Sequence, residues 1–208
     1  MHDRLSLDHI VITAPALEDG VQYVCEKLGV SIPKGGSHEQ MGTHNHLMQL
    51  GDDEFLEVIA INPNAAQPTI ARWFGLDDCK DHRPQLRTWV ARTDHLKDIL
   101  PAMPNGVGAP VRVSRGNLSW EITVATDGAM PFEGAFPALI EWPARPYPGA
   151  GMPSLGCALE ELVIGHPQAQ TIERYLAGYF NDQRVRFETM ETVSLSAIIR
   201  TASGLVTI

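Results

Sequence analysis

Two widely separated stretches of this chain begin in the same way, and that repetition limits its fold more than any other feature. Leu7-Asp8-His9-Ile10-Val11-Ile12-Thr13 and Leu86-Arg87-Thr88-Trp89-Val90-Ala91-Arg92 are both strand-like apolar runs that lead straight into helix signals. After the first, Pro15 suits a first helical turn. Leu17, Val21, Val24 and Leu28 follow at helical spacing until Gly29. After the second, Thr93 or Asp94 can cap a helix whose apolar stripe is Leu96, Ile99, Leu100 and Met103. Three strand candidates follow each helix: 30–32, 43–50 and 55–61 in the first unit, and 110–114, 119–126 and 137–142 in the second. The order strand, helix, three strands therefore occurs twice, as modules 1–62 and 84–143 of one unit spanning 1–143. A Pro/Gly-rich linker runs from Pro143 to Gly156. Beyond it a third, incomplete module is expected over 156–208, with strand 159–164, a helix opened by Pro167, and strands 184–189, 195–201 and 205–208. An odd module must pack elsewhere, either over the outer face of the sheet or against a second subunit. The class is α+β.

Composition removes some functions. A net charge of −9 argues against nucleic acid and anionic membranes, which require a concentrated basic face. The longest apolar runs are strand-length, short of the roughly 20 residues of a membrane span. No basic, then apolar, leader opens the chain. Cys25, Cys79 and Cys157 form no paired motif, and a sparse, odd count of buried thiols suits a reducing compartment. The expectation is a cytoplasmic protein that acts on a small molecule, with a homodimer left open.

The run Gly35–Leu50, GGSHEQMGTHNHLMQL, followed by FLEVIA, carries a more specific signal. It resembles the GG-x-H … GT-x-N pattern of a glyoxalase-like family in the vicinal-oxygen-chelate superfamily. That resemblance implies that paired βαβββ modules form a cupped mixed sheet around a divalent ion. Ligands there come from the first and last strands of each module. The matching residues are His9, Glu57 and Glu141, while Thr88 departs from the His, Glu or Gln usual at its position. The resemblance also marks Thr43 and Asn45 as recurrent.

Alternation along strands gives these residues physical weight. Leu7, His9 and Val11 fall on one face, as do Phe55, Glu57 and Ile59, and also Leu139 and Glu141. Each polar group then sits among apolar neighbours, where it needs a partner. An imidazole with two carboxylates suits Zn, Mn, Fe, Co or Ni, and three ligands leave positions open for substrate oxygens. Glu57 and Glu141 are the candidate catalytic groups, with Glu141 preferred as the proton shuttle. Asn45, Thr88, His38 and His46 are candidate substrate contacts. Three readings follow. The first is a metal-dependent isomerase or lyase acting on adjacent oxygens. The second is a metal-free small-molecule or drug-binding module of the bleomycin-resistance kind, favoured by Thr88 and by Trp89, Trp120 and Trp142. The third is an extradiol-type dioxygenase.

Overall fold

The computed structural model describes residues 4–78 and 83–208, so His2, Cys79 and His82 lie outside the described residues. The first module runs β1 (Ser6–Thr13), α1 (Leu17–Leu28), β2 (Lys34–His38), β3 (Thr43–Gln49) and β4 (Phe55–Ile61). The second runs β5 (Gln85–Arg92), α2 (Leu96–Ile99), β6 (Ala109–Arg115), β7 (Leu118–Val124) and β8 (Ala138–Glu141). Their strands form one sheet in the order β2-β3-β4-β1-β5-β8-β7-β6. In each module the first strand runs parallel to the last, and β1 joins β5 antiparallel at the centre. The sheet curves until its two edges approach. Gln40 Oε1, just beyond β2, accepts from the Ser114 amide of β6 at 3.1 Å. A cup is thus built by one chain, as the repeat implied.

One strand differs from the sequence reading. The run 30–32 is not a strand, and β2 lies at Lys34–His38. Pro33 lacks an amide donor and biases its predecessor. Ile32 instead buries its side chain, and its carbonyl accepts from His46 Nδ1 at 2.8 Å.

The sheet has two different faces. Outside, Leu5, Leu7, Ile10, Ile12, Leu56, Val58, Trp89 and Leu139 pack under α1 and α2. Each such buried side chain stabilises the fold by about 1.5–3 kcal/mol. Inside, Val11, Ile59, Val90, Val113, Trp120, Ile122, Ile140 and Trp142 form a second cluster. The connection between the modules completes it with Trp73, Phe74 and Leu76, which fold into the cup's mouth. Phe74 takes φ 57°, a left-handed backbone that a bulky residue adopts only under constraint. The constraint is visible. The Gly75 amide donates to Gly128 O at 3.2 Å, and Arg72 grips Asp77 at 2.5 Å.

The C-terminal segment repeats the element order with β9 (Ala158–His166), α3 (Ala169–Leu176), β10 (Val185–Thr189), β11 (Ser194–Thr201) and β12 (Gly204–Thr207). Its pairing is different. Here β9 runs parallel to β10, the strand directly after the helix, and the order is β10-β9-β11-β12. This four-stranded sheet covers the outer face of the large one. Trp89 meets the rings of Phe180 and Phe187 at 5.2 and 6.3 Å, and Leu162, Ile164, Ala197 and Ile199 share its core. Cys157 is buried, whereas Cys25, expected to be buried, is exposed on α1.

Candidate active site

The site begins with an irregularity in β1. Leu7 pairs with Ala91, yet His9 pairs with the next residue back, Val90, so Asp8 is an extra residue in the ladder. A bulge of this kind breaks alternation. Leu7 therefore lies on the outer face while His9 points inward, and the reading that placed them on one face is corrected. Asp8 is wholly buried. Its Oδ1 lies 2.6 Å from His9 Nδ1, and its Oδ2 accepts from Trp142 Nε1 at 2.9 Å.

The other imidazole nitrogen, His9 Nε2, lies 3.5 Å from Glu57 Oε2, brought there by the parallel pairing of β1 with β4. Glu57 Oε1 accepts from Asn45 Nδ2 at 2.5 Å. Asn45 Oδ1 in turn accepts from the Gly36 amide at 2.9 Å and from Arg115 Nη1 at 3.1 Å. A continuous polar chain thus runs from Trp142 through Asp8, His9, Glu57 and Asn45 to Arg115. Phe55 stacks on the His9 ring with centroids 4.3 Å apart. His38 bonds Thr43 Oγ1 through Nδ1 at 3.0 Å, and its ring stands edge-on to Trp73 and Trp120.

Charge follows from these contacts. Burial opposes a charge on His9, but hydrogen bonds to Asp8 and Glu57, and the fields of both carboxylates, outweigh it and raise its pKa to about 9. The same exchange works on Glu57. Burial pushes its carboxyl up, but the bond and charge of His9 prevail and hold it below its ordinary value. At neutral pH the pair is imidazolium and carboxylate. His38 lies in the same cavity without such a partner, and burial depresses it to about 4, so it is neutral.

Four of the expected residues, His9, Glu57, Asn45 and His38, therefore line one cavity. Phe55, Trp73, Trp120, Trp142, Ile140 and Arg115 are among its other walls. The space between its walls, open mouth included, is about 410 Å³. Three expected residues are elsewhere. Ile140 is the β8 residue that faces inward. Glu141 lies on the outer side with Leu139, where its Oε2 accepts from the Leu96 amide at 2.7 Å. Alternation was read correctly for β8, but the face was assigned wrongly. Thr88 is on the inner wall, but its hydroxyl donates to Gly134 O at 3.0 Å, in a separate small cavity beside Met130 and Phe136. His46 shares the outer side with Met48 and is held by Ile32 O.

These placements decide how well a metal fits. His9 Nε2 and Glu57 Oε2 are two donors at a spacing one ion could bridge, and the carboxylate on His9 Nδ1 is a common orienting partner for a ligating imidazole. The second module adds no further donor of that kind, because Ile140 and Trp142 occupy the inner surface where Glu141 was expected. Among the described residues no group of three or more His, Cys, Asp or Glu side chains could hold a metal ion. The donor set does not fit the three-ligand centre expected from His9, Glu57 and Glu141.

Sequence reasoning missed Asp8, Arg115 and Trp73. Asp8 would have been found only by expecting a bulge. Arg115 and Trp73 reach the cavity from the sheet's far edge and from a connection with no periodic pattern. Of the tryptophans singled out, Trp120 and Trp142 face the cavity. Trp89 faces outward and donates to Ala135 O at 3.0 Å.

Among the described residues no helix is long and apolar enough to cross a membrane. No curated protein is significantly similar to the chain. Among solved structures, a hypothetical protein from Staphylococcus aureus is 14% identical, with 96% of this chain and 92% of that one covered and a TM-score of 0.67. Methylmalonyl-CoA epimerase from Mycobacterium tuberculosis is 15% identical, with 70% and 93% covered and a TM-score of 0.46. A hypothetical protein from Bacillus halodurans C-125 is 14% identical, with 68% and 96% covered and a TM-score of 0.46. The family model described as a glyoxalase-like domain matches residues 7–180. The chain belongs to the glyoxalase-like domain family, within the vicinal-oxygen-chelate superfamily.

Proposed function

We propose that this protein is an acid–base enzyme of the isomerase or lyase type that moves a proton on a small carbonyl compound. The observation that carries this reading is a buried His9 imidazole held between the Asp8 and Glu57 carboxyl groups at the floor of an aromatic-lined cavity. Glu57 is the base. Its carboxylate removes a proton from the carbon next to the substrate carbonyl. The electrons of that C–H bond pass to the carbonyl oxygen, and the His9 Nε2–H donates to the resulting oxyanion. A fixed cation facing developing negative charge lowers the barrier because it needs no reorganisation during the step. In an α-hydroxy carbonyl substrate, transfer of the hydroxyl proton to the neighbouring oxygen and return of the Glu57 proton to the former carbonyl carbon gives an isomer. Ejection of a leaving group instead gives a lyase. Asp8 keeps His9 protonated and correctly turned. Asn45 fixes the Glu57 oxygen that does not face His9.

The reaction class expected from sequence is retained in this reading, but the electrophile is the imidazolium, and Glu57, with Glu141 facing outward, is the shuttle. A metal-free binding module is the second reading, supported by the aromatic walls of Trp73, Trp120 and Trp142. The dioxygenase reading has less support, since Thr88 is committed to a backbone carbonyl.

Proton exchange in deuterium oxide separates the two main readings. Phenylpyruvate, hydroxyacetone and acetoin are incubated with the protein at neutral pH, and loss of the α-proton signal is followed by NMR. Glu57→Gln should slow exchange by about 100-fold or more. Equal rates for wild type and Glu57→Gln on every compound would overturn the acid–base assignment.

A further inference from the structure

The polar chain ends on a cation that, among the described residues, no carboxylate touches. Arg115 stands half-buried in the cavity wall, and its one side-chain hydrogen bond described goes to the neutral Asn45. Among the described residues no carboxylate forms an ion pair with it. Arg72, Arg92 and Arg184 behave differently, each meeting a carboxylate: Asp77, Asp8 and Glu54 respectively. A guanidinium offers five donors in a planar fork, so most of the donor capacity of Arg115 is uncommitted.

The surroundings are shaped to keep it there. A Cβ on Gly36 would lie 2.8 Å from Arg115 Cδ, and a Cβ on Gly35 would lie 2.2 Å from Asn45 Oδ1. The two glycines of β2 therefore leave the trough in which the Asn45–Arg115 pair lies. This accounts for a glycine pair in a strand, where glycine is otherwise unfavourable. Burial lowers the affinity of Arg115 for its proton, while the field of Glu57 partly restores it.

Charge within the cavity gives the cation a purpose. His9, Asp8, Glu57 and the Arg92 that meets Asp8 balance to no net charge, and His38 is neutral. That set alone does not draw an anion. Arg115 adds one positive charge. It stands at the half-exposed rim, whereas His9 and Glu57 are buried at the floor. A substrate can therefore place an acidic group on Arg115 and its reacting carbon over Glu57. One arginine balances a single negative charge, which suits a carboxylate better than a phosphate dianion. The walls offered to the rest of the molecule are the faces and edges of Trp73, Trp120, Trp142 and Phe55.

We infer that Arg115 is the specificity-determining residue of this cavity and that the substrate is a small carboxylic acid with an aromatic or other flat apolar body. This deepens the acid–base reading and rests on it for the identity of the substrate site.

The test is direct binding to the intact protein, followed by tryptophan fluorescence and calorimetry. Three probes share one ring: phenylacetate, its neutral amide, and phenyl phosphate. Phenylacetate should bind at least tenfold more tightly than the amide. Arg115→Gln should bring the two within about twofold, and Arg115→Lys should keep part of the preference. Equal affinity for acid and amide in wild type, an unchanged preference in Arg115→Gln, tighter binding of phenyl phosphate, or no saturable binding by any probe would each overturn the inference. Glu57→Gln should retain the preference for the acid. An Arg115-dependent preference without proton exchange in wild type would remove the acid–base reading and leave this one standing. Phenylpyruvate exchange that is indifferent to Arg115→Gln would do the reverse.

Discussion

The two modules have nearly the same strand plan but line the cup with opposite materials. The first contributes Asp8, His9, His38, Asn45 and Glu57, all buried and all polar. The second contributes Trp120, Ile122, Ile140 and Trp142, with Arg115 at the rim. A duplicated scaffold has thus divided its labour, with ionisable groups on one half and shape and dryness on the other. The arrangement is economical in electrostatic terms. Apolar walls facing the His9–Glu57 pair lower the local dielectric and strengthen every charge interaction at the floor. A symmetrical cup with ligands from both halves would have suited a metal ion better and a bare proton transfer less well.

Breaking the polar half should have the largest effect. His9→Gln removes the imidazolium and should lower proton exchange by about 100- to 10,000-fold, with phenylacetate binding retained. Exchange within threefold of wild type would show that the halves are not divided as described. Breaking the apolar half should act on stability first. Trp120→Ala should cost about 3–5 kcal/mol in denaturant unfolding. A loss below 1 kcal/mol would mean that the wall is not packed.

Changing pH sharpens the same contrast, because both titrating histidines of the cavity belong to the first module. The pKa of His9 is raised from 6.5 to about 9, so its contribution to stability is complete below 6.5 and lost as pH rises through about 9. His38 is lowered to about 4 and is held neutral, so stability falls as pH drops from 6.5 towards 4. Glu57, held below its ordinary 4.5, stabilises above that value and is lost as pH falls through its folded value. The melting temperature should therefore peak near pH 6.5. Asp8→Asn should flatten the alkaline limb, and His38→Gln the acid one. An alkaline limb unchanged in Asp8→Asn would show that the bulge carboxylate does not hold the His9 proton. The smallest effect belongs to Glu141→Gln, which touches only the start of α2. It should leave exchange unaltered and cost about 0.5–1 kcal/mol at most.

Much of this organisation was legible in the residues. The repeat gave the eight-stranded cup because helix spacing and strand alternation are local signals, and both modules carry them clearly. His9, Glu57, Asn45 and His38 all stand out in the sequence as candidate site residues. All four meet in one cavity. Glu141 was not legible, because alternation says which residues share a face but not which face is the inner one. Leu139 was as consistent with the outer core as with the cup. Leu7 failed for a different reason, since no periodic rule anticipates an extra residue in a ladder. The third segment repeated the element order and hid a different pairing, because pairing is decided by long-range packing, here against Trp89 and its neighbours.

The bulge in β1 has a last consequence. Regular strands send adjacent side chains to opposite sides, so a catalytic acid and its imidazole usually have to be recruited from different strands and kept aligned by the whole fold. With the ladder slipped by one residue, Asp8 and His9 cooperate as consecutive letters of the sequence. Their spacing is therefore set largely by one peptide unit and is insulated from breathing of the sheet. Deleting a single codon there would do more than shorten the strand. Removing Leu7, for example, would restore strict alternation, turn Asp8 outward as an unpaired charge beside Ile10 and Ile12, and separate the dyad in one step.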